Sequence, residues 1–132
     1  MIEHCVEAAI HFAGSVVVPE SVTEPLKYYR NNAAASLAFF EACLAAGMWR
    51  IIFSSTAAVY GAPTECPVAE GAPKLPITPY GRSKLMTEWM LEDAALAGRL
   101  DYVALRYFNV ACADVLGRVG QSTLNATHLV KR

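Results

Sequence analysis

The sequence has 132 residues, a formal net charge of −1, and a composition that is 55% hydrophobic and 17% charged. Its lysines and arginines are scattered and form no basic stripe, so we expect no nucleic acid partner. The longest apolar stretch, residues 33–46, contains Glu41 and is shorter than the roughly 20 residues that a membrane span needs, so we expect no membrane segment.

The four cysteines are far apart in the chain, at Cys5, Cys43, Cys66 and Cys112. They form no C-x-x-C motif, and no histidines stand at metal-ligand spacing, so we predict free thiols and no metal site. The first residues are too polar for a secretory signal. These features together predict a cytoplasmic protein.

The chain begins with a short apolar run, residues 6–12, which predicts a buried strand that ends before Gly14. Residues 19–25 read as a broken stretch because they contain two prolines. Within it, Thr23 is a candidate helix cap, and Pro25 suits the first turn of a helix.

Residues 26–46 show apolar side chains at three- and four-residue spacing, which predicts a helix that Gly47 ends. Residues 50–54 follow as a second strand. Its centre, Ile51-Ile52-Phe53, is too apolar for a half-exposed strand and is typical of a parallel sheet.

Residues 62–79 hold five of the seven prolines and predict a loop. Thr78 followed by Pro79 is a typical helix start, and this helix is expected to run to about Ala97, before Gly98. Residues 101–107 predict the third strand, and the chain after Asn109 reads as irregular.

Strands that alternate with two long helices predict an α/β fold with a parallel sheet and right-handed crossovers. Ligands of such sheets lie at the carboxyl ends of the strands. Three short segments are expected there: His11-Phe12-Ala13-Gly14, Ser54-Ser55-Thr56 and Arg106-Tyr107-Phe108-Asn109.

Tyr80 and Lys84 stand four residues apart in the second helix, so both side chains lie on one face. A phenol is a poor base at neutral pH, and a nearby ammonium would lower its pKa. The pair can therefore make a tyrosine act as a general base, while Thr56 can hold a substrate oxygen. A Y-x-x-x-K spacing alone is common in surface helices; its position next to the strand edge is what favours chemistry here.

The sequence resembles the UDP-glucose 4-epimerases, a branch of the extended short-chain dehydrogenases. The resemblance rests on motifs that follow one another along the chain: His-Phe-Ala-Gly at 11–14, Glu-Ser-Val at 20–22, Tyr-Tyr-Arg-Asn-Asn at 28–32, Ile-Phe-Ser-Ser-Thr-Ala-Ala-Val-Tyr-Gly at 52–61, Pro-Tyr-Gly-Arg-Ser-Lys-Leu at 79–85 and Leu-Arg-Tyr-Phe-Asn-Val-Ala at 105–111. The resemblance implies a partial Rossmann-like, doubly wound parallel sheet across residues 1–132. It also implies a reaction in which bound NAD oxidises the sugar to a 4-keto intermediate and then reduces it again. This reaction would belong to galactose and nucleotide-sugar metabolism.

The resemblance also implies residue roles. Tyr80 would be the base, Lys84 would bind the nicotinamide ribose, and Thr56 would hold the sugar 4-oxygen. The cofactor pocket would be lined by Phe12, Ala13, Gly14, Asn31, Ser54, Tyr80, Lys84 and Phe108, and the substrate would contact Thr56, Tyr80 and Asn109. Helices 26–46 and 79–97 would pair across a homodimer.

Several of these residues have simpler interpretations. Phe12, Ala13 and Gly14 could be core strand and turn, Phe108 could be core packing, and Asn31 could face water like its neighbour Asn32. His11, within an apolar strand, is predicted to be a hydrogen-bonded core residue. His128 is the weakest candidate for nucleotide contact.

The sequence departs from the family pattern by missing parts and at two single residues. The glycine-rich turn that cradles a pyrophosphate is missing, so we expect the sheet to lack the first βαβ unit, and likewise the C-terminal substrate domain. Val16 and Cys112 stand where relatives carry lysine and glycine. The missing parts would leave an open sheet edge and an uncovered apolar face, which favour association. A stable, active monomer is therefore not expected.

Three functions remain open from the sequence. The leading one is a UDP-glucose 4-epimerase, and the second is an NAD-dependent epimerase for another UDP-sugar, such as the N-acetylated counterpart. Ala57 and Ala58 argue against a dehydratase, which would carry an acidic pair after the catalytic threonine. The third is a remnant or dimerisation module of the same fold without catalysis.

Overall fold

The computed structural model describes residues 6–110 and 114–119 of the chain. Its elements follow in the order β1 (Ala8–His11), α1 (Val18–Thr23), α2 (Pro25–Tyr28), a π-helical turn (Tyr29–Ala34), α3 (Ala35–Ala45), β2 (Arg50–Ser54), a 3-10 turn (Ala57–Tyr60), α4 (Pro79–Leu96) and β3 (Asp101–Leu105).

The three strands form one parallel sheet in the order β1-β2-β3, as the alternation of strands and helices predicted. Ala8 of β1 pairs with Arg50 of β2, which in turn pairs with Asp101 of β3. Because successive parallel strands are joined by helices, every strand ends at the same edge of the sheet. The predicted parallel sheet is confirmed.

The core lies between one face of this sheet and the two long helices. Phe40 and Cys43 of α3 and Leu91 of α4 pack against Ile51 and Phe53 of β2, and all five are nearly inaccessible to solvent. Burial of large apolar side chains contributes about 1.5–3 kcal/mol each. This layer therefore holds α3 and the C-terminal half of α4 against β2.

The opposite face of the sheet is exposed, as expected. Ile10, Val103 and Leu105 keep 57%, 54% and 41% of their surface accessible. Ile52 on this face is half-buried, so the prediction that β2 is too apolar for a partly exposed strand is wrong at that residue.

The sequence missed helix α1. Pro19 suggested a broken stretch, but it lies in the first turn of α1, where its missing N–H breaks no helical hydrogen bond. Thr23 does not cap the next helix; its hydroxyl donates to the Glu20 carbonyl at 3.1 Å. Pro25 begins α2 as predicted.

The helix predicted over residues 26–46 is continuous, but its centre widens into the π-helical turn at Tyr29–Ala34. Such turns are rare and concentrate at functional sites. Gly47 follows α3 with a φ of 75°, and Thr78 accepts a hydrogen bond from the Gly81 amide as the cap of α4, so both helix boundaries are confirmed.

No helix in the described ranges is both long and apolar enough to cross a membrane.

Candidate active site

The side chains predicted for catalysis meet where β2 ends and α4 begins. Thr56 is buried and caps the 3-10 turn, where its hydroxyl accepts a hydrogen bond from the Ala58 amide at 3.2 Å. The Thr56 hydroxyl lies close enough to the Tyr80 phenol to lower its pKa. The chain thus brings together two of the three residues that the sequence proposed for catalysis.

Gly81 explains how the two segments come so close. A Cβ at this position would lie 2.7 Å from the Ala58 carbonyl oxygen, closer than real Cβ contacts allow. The absence of a side chain lets the first turn of α4 dock directly on the 3-10 turn. Because Tyr80 precedes Gly81, this docking sets its distance from Thr56.

The ring of Tyr80 is supported by Tyr28, which the sequence reasoning left without a role. The two rings meet edge to face with their centroids 6.4 Å apart. Tyr28 is fully buried, and its phenol lies 2.6 Å from the Val17 carbonyl and 2.7 Å from the Glu20 carboxylate. Burial and the Glu20 carboxylate raise the pKa of Tyr28 to about 12, so Tyr28 stays neutral beside Tyr80.

Lys84 is buried, with 2% of its surface exposed, behind Tyr80. Its ammonium donates a hydrogen bond to the Ser54 carbonyl at 2.8 Å and lies 4.9 Å from the centre of the Phe53 ring. Loss of water around the ammonium lowers the pKa of Lys84 to about 8.

The expected effect of Lys84 on Tyr80 is not present in this structure. Burial raises the pKa of the Tyr80 phenol above its ordinary value, while the nearby Thr56 hydroxyl acts in the opposite direction. The ammonium of Lys84 is directed at the Ser54 carbonyl. Burial therefore dominates, and the predicted lowering of the Tyr80 pKa by Lys84 is not found.

The hydroxyls of the Ser-Ser-Thr segment have separate partners. Ser54 is hydrogen-bonded to the Tyr107 phenol at 2.5 Å, and Ser55 donates to the Glu88 carboxylate at 2.5 Å. Thr56 is the one whose hydroxyl faces Tyr80. Ser54 and Ser55 are thus engaged within the chain, and substrate contact of Thr56 stays a prediction.

The predicted cofactor segment after β1 passes close to Lys84. A Cβ on Gly14 would lie 3.6 Å from the Lys84 nitrogen and 2.9 Å from the side-chain oxygen of Asn32, and Gly14 has a φ of 153°. Only glycine fits this position without strain. Phe12 is 62% exposed, so it is not the core residue of the simpler interpretation.

Asn32 is the residue that sequence reasoning missed. Its side chain is buried, accepts a hydrogen bond from the Ser15 amide at 2.7 Å, and donates to the Ser15 carbonyl and the Ser83 hydroxyl at 3.0 Å each. It thereby joins the segment after β1 to α4. Two adjacent asparagines inside a helix were the available signal, because asparagine is a poor helix former.

The remaining predicted residues lie at the exposed rim of this edge. Asn31 faces solvent and its side-chain amide donates to the Ser15 hydroxyl at 3.1 Å. Phe108 is 85% exposed, which excludes core packing, and Asn109 is exposed too. Ligand contact of these residues stays a prediction.

His11 is the hydrogen-bonded core residue that was predicted. It is buried, its Nε2 lies 2.8 Å from the Ser36 hydroxyl, and its ring stacks on Phe39. Burial and the charge of Lys84 lower the pKa of His11. Cys112 and His128 lie outside the described residues.

The residues at this edge of the sheet suit the nicotinamide and ribose part of a dinucleotide. Glycine at position 14 lets the backbone pass close to Lys84, whose ammonium has three donors and makes one hydrogen bond within the described residues. The exposed Phe12 stands at the same edge. Within the described residues no cluster of His, Cys, Asp or Glu could hold a metal ion.

Comparison with known proteins gives concordant matches. The profile of the NAD dependent epimerase/dehydratase family matches residues 1–129. The UDP-glucose 4-epimerase of Azospirillum brasilense is 63% identical over 131 residues, which are 99% of this chain and 38% of that protein. The chain thus spans about two fifths of the length of this curated relative.

Solved structures agree. The UDP-glucose 4-epimerase from Brucella ovis, determined in complex with NAD, superimposes with a TM-score of 0.92 at 47% identity, over 96% of this chain and 39% of that one. The UDP-Glc/GlcNAc 4-epimerase from Campylobacter jejuni matches with a TM-score of 0.77 at 48% identity, over 88% of this chain and 36% of that one. The sheet is therefore a Rossmann-like α/β unit of the kind these enzymes contain.

Proposed function

Because the chain belongs to the NAD dependent epimerase/dehydratase family, we propose that it supplies the catalytic residues of a UDP-glucose 4-epimerase. The observation that carries the proposal is the docking of the first turn of α4 on the 3-10 turn, which brings the Thr56 hydroxyl close to the Tyr80 phenol and places the buried Lys84 one turn further along α4. The identity of 63% with the Azospirillum brasilense enzyme supports the choice of reaction. The activity would serve galactose and nucleotide-sugar metabolism in the cytoplasm, where thiols such as Cys43 and Cys66 stay free.

In this proposal Tyr80 takes the proton from the sugar 4-hydroxyl while Thr56 holds the 4-oxygen. The chemistry that bound NAD would supply is reversible hydride acceptance from the sugar C4, together with the positive charge of its nicotinamide ring. The raised pKa of Tyr80 makes that charge necessary, since a nearby cation favours the phenolate. We therefore expect Tyr80 to become an effective base only in the loaded protein.

The cofactor would be held by the edge where β1, β2 and β3 end. The ammonium of Lys84 lies near Gly14 and could bind the ribose, and the exposed rings of Phe12 and Phe108 are available for the nicotinamide side. Ala13, Asn31 and Ser54 complete the proposed cofactor contacts, and Asn109 with Thr56 and Tyr80 the proposed substrate contacts. We propose that residues 1–132 act as one such NAD-binding unit.

The sugar could differ from glucose. The Campylobacter jejuni structure is of a UDP-Glc/GlcNAc 4-epimerase. Its 48% identity to this chain is similar to the 47% identity of the Brucella ovis UDP-glucose 4-epimerase. An epimerase for another UDP-sugar is therefore the second candidate. Rates with UDP-galactose and with its N-acetylated counterpart would separate the two.

We also propose a homodimer through helices 26–46 and 79–97. The outer sides of these helices expose apolar side chains, among them Leu37, Met86 and Trp89. Next to them lies a groove of about 450 Å³, lined by Tyr29, Lys74, Leu75, Pro76, Arg82, Leu85, Met86 and Trp89. Apolar patches of this kind mark association surfaces.

The proposal is tested in a hybrid in which this chain replaces its counterpart in the Azospirillum brasilense enzyme. The hybrid is expected to interconvert UDP-glucose and UDP-galactose, because 63% identity preserves the packing around the segment. Tyr80→Phe should lower kcat by roughly 10²- to 10⁴-fold, the contribution of general acid–base catalysis.

Tyr102→Phe is the matched control, since Tyr102 lies on β3 and its phenol makes no hydrogen bond within the described residues, so it should leave kcat unchanged. Size-exclusion chromatography of both variants reports dimerisation. An inactive hybrid that still forms dimers would contradict the enzymatic proposal and favour the dimerisation module.

A further inference from the structure

One buried carboxylate takes no part in the proposed chemistry. Glu88 lies one turn after Lys84 on α4, and 2% of its surface is exposed. It accepts hydrogen bonds from Ser55 Oγ at 2.5 Å and from Arg106 Nε and NH2 at 2.9 and 2.8 Å. The ammonium of Lys74 lies 3.7 Å from the same carboxylate.

Stability alone does not account for this cluster. Removing a carboxylate and a guanidinium from water costs several kcal/mol per ion, and apolar residues of similar volume often stabilise an interior as well or better. The side chain of Arg106 is only 18% exposed, and the carboxylate beside it raises its pKa. A buried ion pair is better explained by the geometry that it imposes on its neighbours.

The residues that Glu88 contacts lie next to Thr56, whose hydroxyl is proposed to hold the substrate oxygen. Ser55 directly precedes Thr56, and its hydroxyl is engaged by Glu88. Arg106 directly precedes Tyr107, whose carbonyl accepts a hydrogen bond from the Ala57 amide at 3.1 Å. Glu88 thus ties α4 to the residues on both sides of Thr56.

The same cluster reaches the loop over residues 61–78. One guanidinium nitrogen of Arg106 donates to the Tyr60 phenol at 2.6 Å and to the Glu70 carbonyl at 3.1 Å. Tyr60 itself donates to the Glu70 carbonyl at 3.1 Å. The loop that leads into Thr78 and the start of α4 is therefore anchored to the carboxylate that holds Ser55.

We propose that Glu88 is a positioning residue: through Ser55 and Arg106 it sets the position of the Thr56 hydroxyl relative to the Tyr80 phenol. Its significance for catalysis rests on the proposed function. Ser55 is then a structural ligand of Glu88, and Thr56 alone presents a hydroxyl to the substrate.

The principal test is Ser55→Ala in the hybrid enzyme, because it removes the contact between Ser55 and Glu88 but keeps the ion pair with Arg106. Glu88→Gln is the second variant, which removes the charge at constant shape. 3-Fluorotyrosine at position 80 provides a ¹⁹F NMR signal that does not depend on activity. Kinetics are measured with unlabelled tyrosine.

Both variants are expected to shift or split the ¹⁹F resonance at position 80. Both should also lower kcat about 10- to 100-fold, since small displacements of a catalytic group are costly, while KM for UDP-glucose changes less than about twofold. Glu92→Gln, an exposed glutamate on the same helix, should leave the resonance and kcat as they are.

Leu91→Ala provides a control for stability, because it removes a buried side chain from the core face of α4 without touching the cluster. The proposal is overturned if Ser55→Ala and Glu88→Gln leave the resonance as in Glu92→Gln. It is also overturned if Leu91→Ala changes the resonance and kcat in the same way. An inactive unsubstituted hybrid would defeat the proposed function, and the ¹⁹F signal would still decide the role of Glu88.

Discussion

The residues proposed for catalysis and those proposed for cofactor binding differ in how the chain holds them. Thr56 and Lys84 are buried and hydrogen-bonded to partners within the chain. Phe12 and Phe108 are 62% and 85% exposed at the ends of their strands. The first group is organised by its own packing, whereas the second presents apolar surface.

The difference shows what each group requires. The catalytic group depends on docking of α4 against the 3-10 turn, which Gly81 permits and Glu88 braces. The exposed aromatic rings can gain stabilisation only from something that covers them, and a planar nicotinamide is suited to that. Substitutions in the first group should therefore change folding, and those in the second should change binding.

Asn32 connects the two groups, so its loss should have the largest effect. Asn32→Ala leaves the Ser15 amide and carbonyl without their partner, while the Ser83 hydroxyl keeps its hydrogen bond to the Tyr80 carbonyl at 2.8 Å. Each unsatisfied group costs about 1–3 kcal/mol. Urea unfolding should show a loss of about 3 kcal/mol or more, or no folded chain.

Asn31→Ala is the matched control, because it removes one exposed contact with the Ser15 hydroxyl and should cost about 0.5 kcal/mol or less. Equal losses for the two variants would mean that Asn32 does not join the segments. A larger loss of stability for Asn31→Ala than for Asn32→Ala would contradict the prediction outright.

Substitution of Lys84 should increase the stability of the chain, in contrast to substitution of Asn32. The pKa of Lys84 falls from 10.5 to about 8 on folding, so below pH 8 the folded chain carries a buried charge that costs about 3 kcal/mol. Lys84→Met removes this cost and loses the hydrogen bond to the Ser54 carbonyl. We expect a net gain of about 2 kcal/mol at pH 7 in the chain without cofactor.

The dependence on pH separates this cause from better packing. Between pH 8 and 10.5 the unfolded chain binds more protons than the folded one, so stability of the parent chain rises with pH over that window. The gain from Lys84→Met should accordingly disappear near pH 10. Lys27→Met, on an exposed lysine, is the control; a gain from Lys84→Met that is constant from pH 6 to 10 would contradict the buried charge.

Much of the fold was predictable because periodic segments and helix boundaries are local properties. The pattern over residues 79–97 and the Thr78-Pro79 start gave α4 within one residue of its observed end. Helix α1 was missed because Pro19 indicates a break unless its place in the first turn is known. Local signals do not report which turn a proline will occupy.

The site was predictable where it depends on spacing and obscure where it depends on contacts between distant segments. Tyr80 and Lys84 share a face because they stand four residues apart, and the sequence shows this directly. Asn32 and Glu88 act on partners 17 and 33 residues away, so local spacing does not show which residues they contact. The pKa of Tyr80 was misjudged for the same reason, since burial is a property of the assembled fold.

The smallest expected change in stability is at Phe12. Phe12→Ser replaces a side chain that is 62% exposed, so urea unfolding should change by less than about 0.5 kcal/mol. If the ring covers the nicotinamide side of the cofactor, affinity of the hybrid for NAD, measured by quenching of protein fluorescence, should fall about tenfold, because an aromatic contact is worth about 1 kcal/mol or slightly more. Val110→Ser, also exposed after β3, is the control and should change neither quantity. If Phe12→Ser instead lowered the stability and left the affinity for NAD unchanged, Phe12 would belong with the packed residues. The proposed division between packed residues and ligand-facing residues would then be wrong at the residue that defines it best.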